Sequence, residues 1–206
     1  MKYDYGKYTR VEVKAWLEKQ FSYIDNIVNT EHQSLYFMNT LLEHIKSELG
    51  KEMKKSTILD WGCATGVSLV KLKEFCGHND IYGIDISEAA VNYGKKVHNV
   101  NITTKEIDEN YDFIITSNCL EHIKNYKEVM KFHASHCNKG YIVMIPFEGV
   151  IKENSIGDHI VSFNNKNIPR DLNNLELKKG IIVDFRGNGV WPGYQIILIY
   201  KKKDAL

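Results

Sequence analysis

"STILDWGCATGVSLVKLKEFC", residues 56–76, decides how this chain is read. Residues 56–60 are a short apolar run of the kind buried inside a sheet, 61–66 a glycine-containing turn, and 67–76 a run with apolar residues at helical spacing. Strand, tight turn and helix open a βα unit, and the alternation continues outward. "IYGIDI" (81–86) reads as a second strand, and Ser87 is placed to cap the helix "EAAVNYGKKV" (88–97), because its hydroxyl accepts from an otherwise unpaired backbone N–H. A weak strand is expected near Ile102 and a firm one at "YDFIITSN" (111–118). A helix follows from about Asn125 to His136, then the strand "GYIVMIP" (140–146), ended by Pro146.

The flanks differ. Residues 10–49 read as helical, with Leu17, Phe21, Ile24 and Val28 on one apolar face and Met38, Leu41, Leu42, Ile45 and Leu49 on a second, and Gly50 offering a stop. Residues 148–171 are polar and irregular, as in a loop lying over a site. "KKGIIVDFRG" (178–187) and "YQIILIYKK" (194–202) are β-rich runs separated by "NGVWPG" and read as a long hairpin. The fold class is therefore α/β: a doubly wound, mostly parallel sheet with an antiparallel C-terminal hairpin.

Composition narrows the function. With 206 residues, 43% hydrophobic and 26% charged, the chain is an ordinary globular domain. Lys plus Arg number 27 and Asp plus Glu 26, a net charge of +1, so the basic excess of a phosphate-gripping nucleic-acid binder is missing. The basic run Lys201–Lys203 is expected to be a frayed tail. No stretch resembles an export signal or a membrane span, and Cys63, Cys76, Cys119 and Cys137 form no CxxC pair. A cytoplasmic protein with reduced thiols is expected.

Ligands of open α/β sheets bind outside the carboxyl ends of the strands, at the switch in strand order. A dinucleotide fingerprint would need glycine where Ala64 and Val67 stand, and a P-loop needs Gly-Lys-Ser/Thr where the chain has Gly66, Val67 and Ser68. Both nucleotide readings fail. What remains is Asp60, a G-x-x-x-G turn from Gly62 to Gly66, and Asp85 at the tip of the next strand.

These residues resemble the class I S-adenosylmethionine-dependent methyltransferases. "ILDWGCATG" (58–66) is similar to the family's first motif, with Ala64 in place of its middle glycine. "IYGIDIS" (81–87) is similar to its second strand, and "YDFIITSNCLEHI" (111–123) to its fourth-strand motif. The resemblance implies a Rossmann-like fold and S-adenosylmethionine as cofactor, held by Asp60, Trp61, Gly62, Cys63, Ala64, Gly66, Asp85, Ile86, Ser117 and Asn118. Asp60 would favour the methionine ammonium and Asp85 the ribose hydroxyls; the alternative is that these acids and glycines only shape turns. The family acid that meets the adenine amino group has no clear counterpart, since Asp108 lies too near the fourth strand. The domain then divides into a helical lid or cap (1–50), a cofactor-binding core (56–146) and an acceptor-side loop with hairpin (147–206).

For catalysis, methyl transfer needs alignment, and a general base only where the acceptor is weakly acidic. Glu121 and His122 lie past the fourth strand, and Asp158 and His159 in the polar loop. "DHIVSFNNKNIPRDL" (158–172) is similar to the family segment that carries a histidine near the acceptor. His122 reads equally as a brace of its own loop. A resemblance to methyltransferases with E-x-x-E-H after the fourth strand would add a divalent metal, but Asn118 stands where the first glutamate belongs, so metal use is left unassigned. Tyr3, Tyr5, Tyr8, Trp16, Phe21 and Tyr23 are core packing or a lid. The expected activity is methylation of a small-molecule hydroxyl, on a sugar, surface-polysaccharide precursor or metabolite. RNA or another macromolecule as acceptor, and a catalytically silent scaffold, are the alternatives; oligomeric state is not legible.

Overall fold

The computed structural model describes residues 1–149 and 157–203. The N-terminal helical stretch is two helices, α1 (Arg10–Gln20) and α2 (Ile24–Met53). Thr9 and Glu12 form a reciprocal capping box at the start of α1. The break falls where Phe21 turns inward and is buried. Gly50 does not end α2: it lies inside the helix, where an added Cβ would come within 3.4 Å of Phe75, so the small residue serves close helix packing.

The core alternates as the sequence predicts: β1 (Ile58–Trp61), α3 (Val67–Cys76), β2 (Ile81–Ile84), α4 (Glu88–His98), β3 (Asn101–Thr103), β4 (Tyr111–Ser117), α5 (Tyr126–Ser135) and β5 (Cys137–Phe147). Ser87 caps α4 by accepting from the Ala90 N–H at 3.2 Å. Glu18 of α1 adds a second cap, its carboxylate accepting from the N–H groups of Glu88 and Ala89 at 2.6 and 2.8 Å. The hairpin is present as β7 (Leu175–Asp184) and β8 (Tyr194–Lys202), preceded by the two-residue β6 (Asp171–Leu172).

The eight strands run in the order β3-β2-β1-β4-β5-β8-β7-β6, parallel from β3 to β5 and antiparallel beyond. The order reverses between β1 and β4, which places a crevice at their carboxyl ends. One sheet face is covered by α5 and the other by α2 and α3. Pro146 does not terminate β5. It lies beyond the last β4 pair, Ser117 with Met144, where β8 flanks the strand as its one named neighbour among the described residues. Nor do the C-terminal lysines fray: Lys201 and Lys202 belong to β8, and Lys201 and Lys203 pair with Glu52 and Asp171. Of the polar loop expected after β5, residues 150–156 lie outside the described residues.

Candidate active site

The turn after β1 is shaped by the neighbouring strand. Gly62 has φ +79°, and a Cβ there would lie 2.0 Å from the Cys119 Sγ, so a side chain is excluded by the protein itself before any ligand is considered. Gly94 has the same role on the other side, since a Cβ would meet the Thr65 carbonyl oxygen at 2.1 Å as α4 packs on the turn. Asp85 closes the arrangement. Its Oδ2 accepts from the Ala64 N–H at 2.8 Å and its Oδ1 from the Ser87 N–H at 2.9 Å, and the Ile86 N–H also favours the carboxylate. Burial pushes its pKa up, opposed by these backbone donors.

Asp60 is placed differently from Asp85. It is 2% exposed, accepts from Ser68 Oγ at 2.5 Å, and is pushed up to about 6 by burial. It stands behind the turn and not on the cavity wall. Cys63 and Gly66 also lie off the wall: the Cys63 thiol is buried against the Ile84 carbonyl, and Gly66 heads α3 in the left-handed region.

A cavity of about 480 Å³ opens at the strand ends and is walled by Trp61, Gly62, Ala64, Asp85, Ile86 and Asn118 among others. Ser117 is absent from that wall; its hydroxyl accepts from the Asn118 amide at 3.2 Å. The N-terminal aromatics supply the outer wall, with Tyr3, Tyr5, Tyr8, Trp16 and Phe21 all lining it. Of these, Tyr3 and Phe21 are buried, so packing and covering are one job here. Tyr23 instead is exposed and takes no part. Thr104 and Glu106, just past β3, also line the cavity, and Asp108 does not. Sequence reading missed Glu106 because no motif marks it; its partners, Arg10 and the Met1 amine, come from the far end of the chain.

A second group assembles past β4. Glu121 lies in a 3-10 turn (Leu120–His122) and is 1% exposed. Its backbone carbonyl accepts from both the Ile160 and Val161 N–H groups, at 2.9 and 3.0 Å, and this docks the polar loop against the turn. His159 is thereby carried to Glu121, its Nε2 4.0 Å from Oε1, while His122 Nε2 lies 3.9 Å from the same oxygen. His122 Nδ1 bonds the Asp158 carbonyl at 3.0 Å. A carbonyl only accepts, so Nδ1 carries the proton and Nε2 of the neutral ring presents its lone pair. Burial raises the Glu121 pKa, partly offset by His122. His122 braces the loop through that bond and also lines the cavity.

His159 stacks on Trp191 at 5.4 Å, with 24° between the rings. The two line a second cavity of about 540 Å³ together with Phe147, Arg186 and Tyr194, and it meets the first along Gly157 and Asp158. Trp191 was not singled out in sequence because it lies in the "NGVWPG" connection of the hairpin.

The family model described as "Methyltransferase domain" matches residues 34–147, more than half of the chain. The chain belongs to the methyltransferase family. It is an S-adenosylmethionine-dependent enzyme of the class I type. Solved structures share the methyltransferase's fold at low identity. Magnesium protoporphyrin IX methyltransferase (ChlM) from Synechocystis PCC 6803, with bound SAH, is 16% identical over 84% of each chain, with a TM-score of 0.64. The plantazolicin methyltransferase BpumL in complex with SAH is 16% identical over 94% of this chain and 96% of its own, at 0.58. A putative RNA methyltransferase, PH1948 from Pyrococcus horikoshii, is 9% identical over 81% and 83%, at 0.59. No curated protein matches the sequence.

Proposed function

We propose that this methyltransferase moves the methyl group of S-adenosylmethionine to a hydroxyl of a small molecule, a sugar, polysaccharide precursor or other metabolite. The observation that carries the reading is His122: it lines the cavity beside the glycine turn and at the same time faces Glu121 and His159. The donor supplies a methyl already activated on a sulfonium. Asp85 would accept from the ribose hydroxyls, and the wall from Trp61 to Ala64 would align the sulfonium.

The acceptor would enter from the side of the second cavity, which Trp191 and Tyr194 help to line. Its oxygen forms the new bond to the methyl carbon as the carbon–sulfur bond breaks, and its proton leaves into the Glu121–His122–His159 corner. The near-neutral charge of +1 favours a small acceptor over RNA. Transfer to a panel of hydroxylated small molecules is the test. His159→Ala is expected to leave donor affinity nearly intact and to slow transfer by roughly 10²–10⁴-fold. Normal turnover of that variant on the true acceptor would overturn the role of the corner.

A further inference from the structure

We infer that Glu121, His122 and His159 form a binding site for one divalent transition-metal ion, of the zinc class, between the two cavities. The inference rests on the assignment of this corner to acceptor activation and adds how it would work.

Three observations on the page meet here. The first is distance. One ligand atom from each residue lies within 4.8 Å of the others, and both imidazole Nε2 atoms lie 3.9–4.0 Å from one carboxylate oxygen. An ion with bonds of about 2.0–2.1 Å in tetrahedral geometry sets its ligands roughly 3.4 Å apart. Closing the corner onto an ion therefore brings the ring nitrogens about half an ångström nearer the carboxylate oxygen, and the widest pair of ligand atoms together by at most about 1.4 Å. The second is burial. Glu121 is 1% exposed, yet its Oε2 has no hydrogen-bond partner among the described residues. A buried carboxylate oxygen left unpaired is costly, and a cation between the two rings would remove that cost. The third is tautomer control. The Asp158 carbonyl fixes the proton of His122 on Nδ1, so Nε2 points its lone pair inward, the arrangement by which metal-bound histidines are held.

The donor set also selects the ion. Two imidazoles and one carboxylate suit zinc, iron or cobalt better than magnesium or calcium, which prefer all-oxygen sites. Asn118 adds nothing to the set, because its Oδ1 already accepts from the Gln195 amide at 3.0 Å. Three protein ligands leave positions open, which is the pattern of a catalytic site and not of a closed structural one. With an ion in place both Nε2 atoms are occupied, so the coordinated acceptor hydroxyl, its pKa lowered by the cation, would pass its proton to solvent water and not to a ring nitrogen.

The experiment uses the full-length enzyme, stripped with a chelator and titrated with Zn²⁺, Co²⁺ and Mg²⁺. Elemental analysis after dialysis gives stoichiometry, and visible absorption of the Co²⁺ form reports the ligands. One Zn²⁺ or Co²⁺ per chain is expected, with Mg²⁺ not retained. Affinity should fall at least tenfold in His159→Ala and in Glu121→Gln, and stay within twofold in Asn118→Ala. His122→Asn provides a further variant should Glu121→Gln fail to fold. Failure to retain an ion stoichiometrically, or retention unchanged in the His159 and His122 variants, would overturn the inference. An ion-free enzyme that transfers methyl normally but is slowed by His159→Ala would remove the metal and keep the proposed function. A variant that loses the ion and still turns over normally would remove the proposed role of the corner and keep the metal site.

Discussion

At the end of β1, the polar groups that shape the turn are bonded within a short span of chain: Asp85 holds Ala64 and Ser87, and Asp60 holds Ser68. At the end of β4, the corner draws on the 3-10 turn and the distant 157–163 loop, with Trp191 of the hairpin as its wall, and one buried carboxylate oxygen has no partner among the described residues. The first region is fixed by local geometry that also serves the fold. The second exists only when separate segments dock, and the oxygen that lacks a partner belongs to a group proposed to do chemistry. Damage to the turn should therefore cost stability, and damage to the corner should cost rate.

The largest expected effect tests that division. Gly62→Val should destabilise the fold by roughly 4 kcal/mol, from overpacking against Cys119 and from a positive φ unsuited to a branched side chain. Denaturant unfolding would show it, and combining the milder Gly62→Ala with Cys119→Gly should recover part of the loss. If Gly62→Val folds as well as the wild type, the turn is not built as described. Next, Asp85→Ala should weaken S-adenosylmethionine binding by about 3 kcal/mol, read by calorimetry, because hydrogen bonds to a charged group are lost. It should also lower stability, since the Ala64 and Ser87 N–H groups lose their acceptor. A variant with unchanged affinity would detach the acid from the donor.

A smaller effect probes the floor shared by both regions. His133 packs on Trp61 with ring centres 4.6 Å apart, and it bonds Tyr141, whose hydroxyl in turn bonds Thr116. Burial lowers the His133 pKa from 6.5 to about 3. The folded state thus refuses a proton that the unfolded chain accepts. The stability carried by the neutral ring is complete above about pH 6.5 and is lost as pH falls towards 3, at about 1.4 kcal/mol per unit. His133→Gln should flatten the pH dependence between pH 6.5 and 5 by about 2 kcal/mol in chemical denaturation. An unchanged profile would place the acid sensitivity elsewhere. Smallest of all should be the salt response of RNA binding, which ought to be weak with a shallow slope; tight binding lost steeply on adding salt would favour a macromolecular acceptor.

Legibility in the sequence follows the same division. The turn could be read because its residues are consecutive and its glycines and acids answer to the geometry of one βα unit. The mostly parallel core followed from the alternation of strands and helices, and the hairpin from its two β-rich runs. Asp60 stands out in the sequence as an acid beside the turn, yet its side chain bonds Ser68, a direction that spacing does not encode. Pro146 and Gly50 misled because their usual roles as terminators depend on neighbours: Pro146 needs only one flanking strand, and Gly50 answers to Phe75. His122 and His159 were each visible as candidates. That they share Glu121 was not, because their meeting depends on two backbone bonds between segments far apart in the chain.

Those two bonds, from the Ile160 and Val161 amides to one carbonyl, give the corner a built-in reporter. Both protons are shielded only while the loop lies on the 3-10 turn, so their exchange with deuterated water measures the free energy of undocking separately from global unfolding. A ligand that bridges the two segments would slow both amides together and leave the exchange of the β1–β2 ladder unchanged. The undocking free energy also bounds how much of any acceptor's affinity is spent on holding the loop in place.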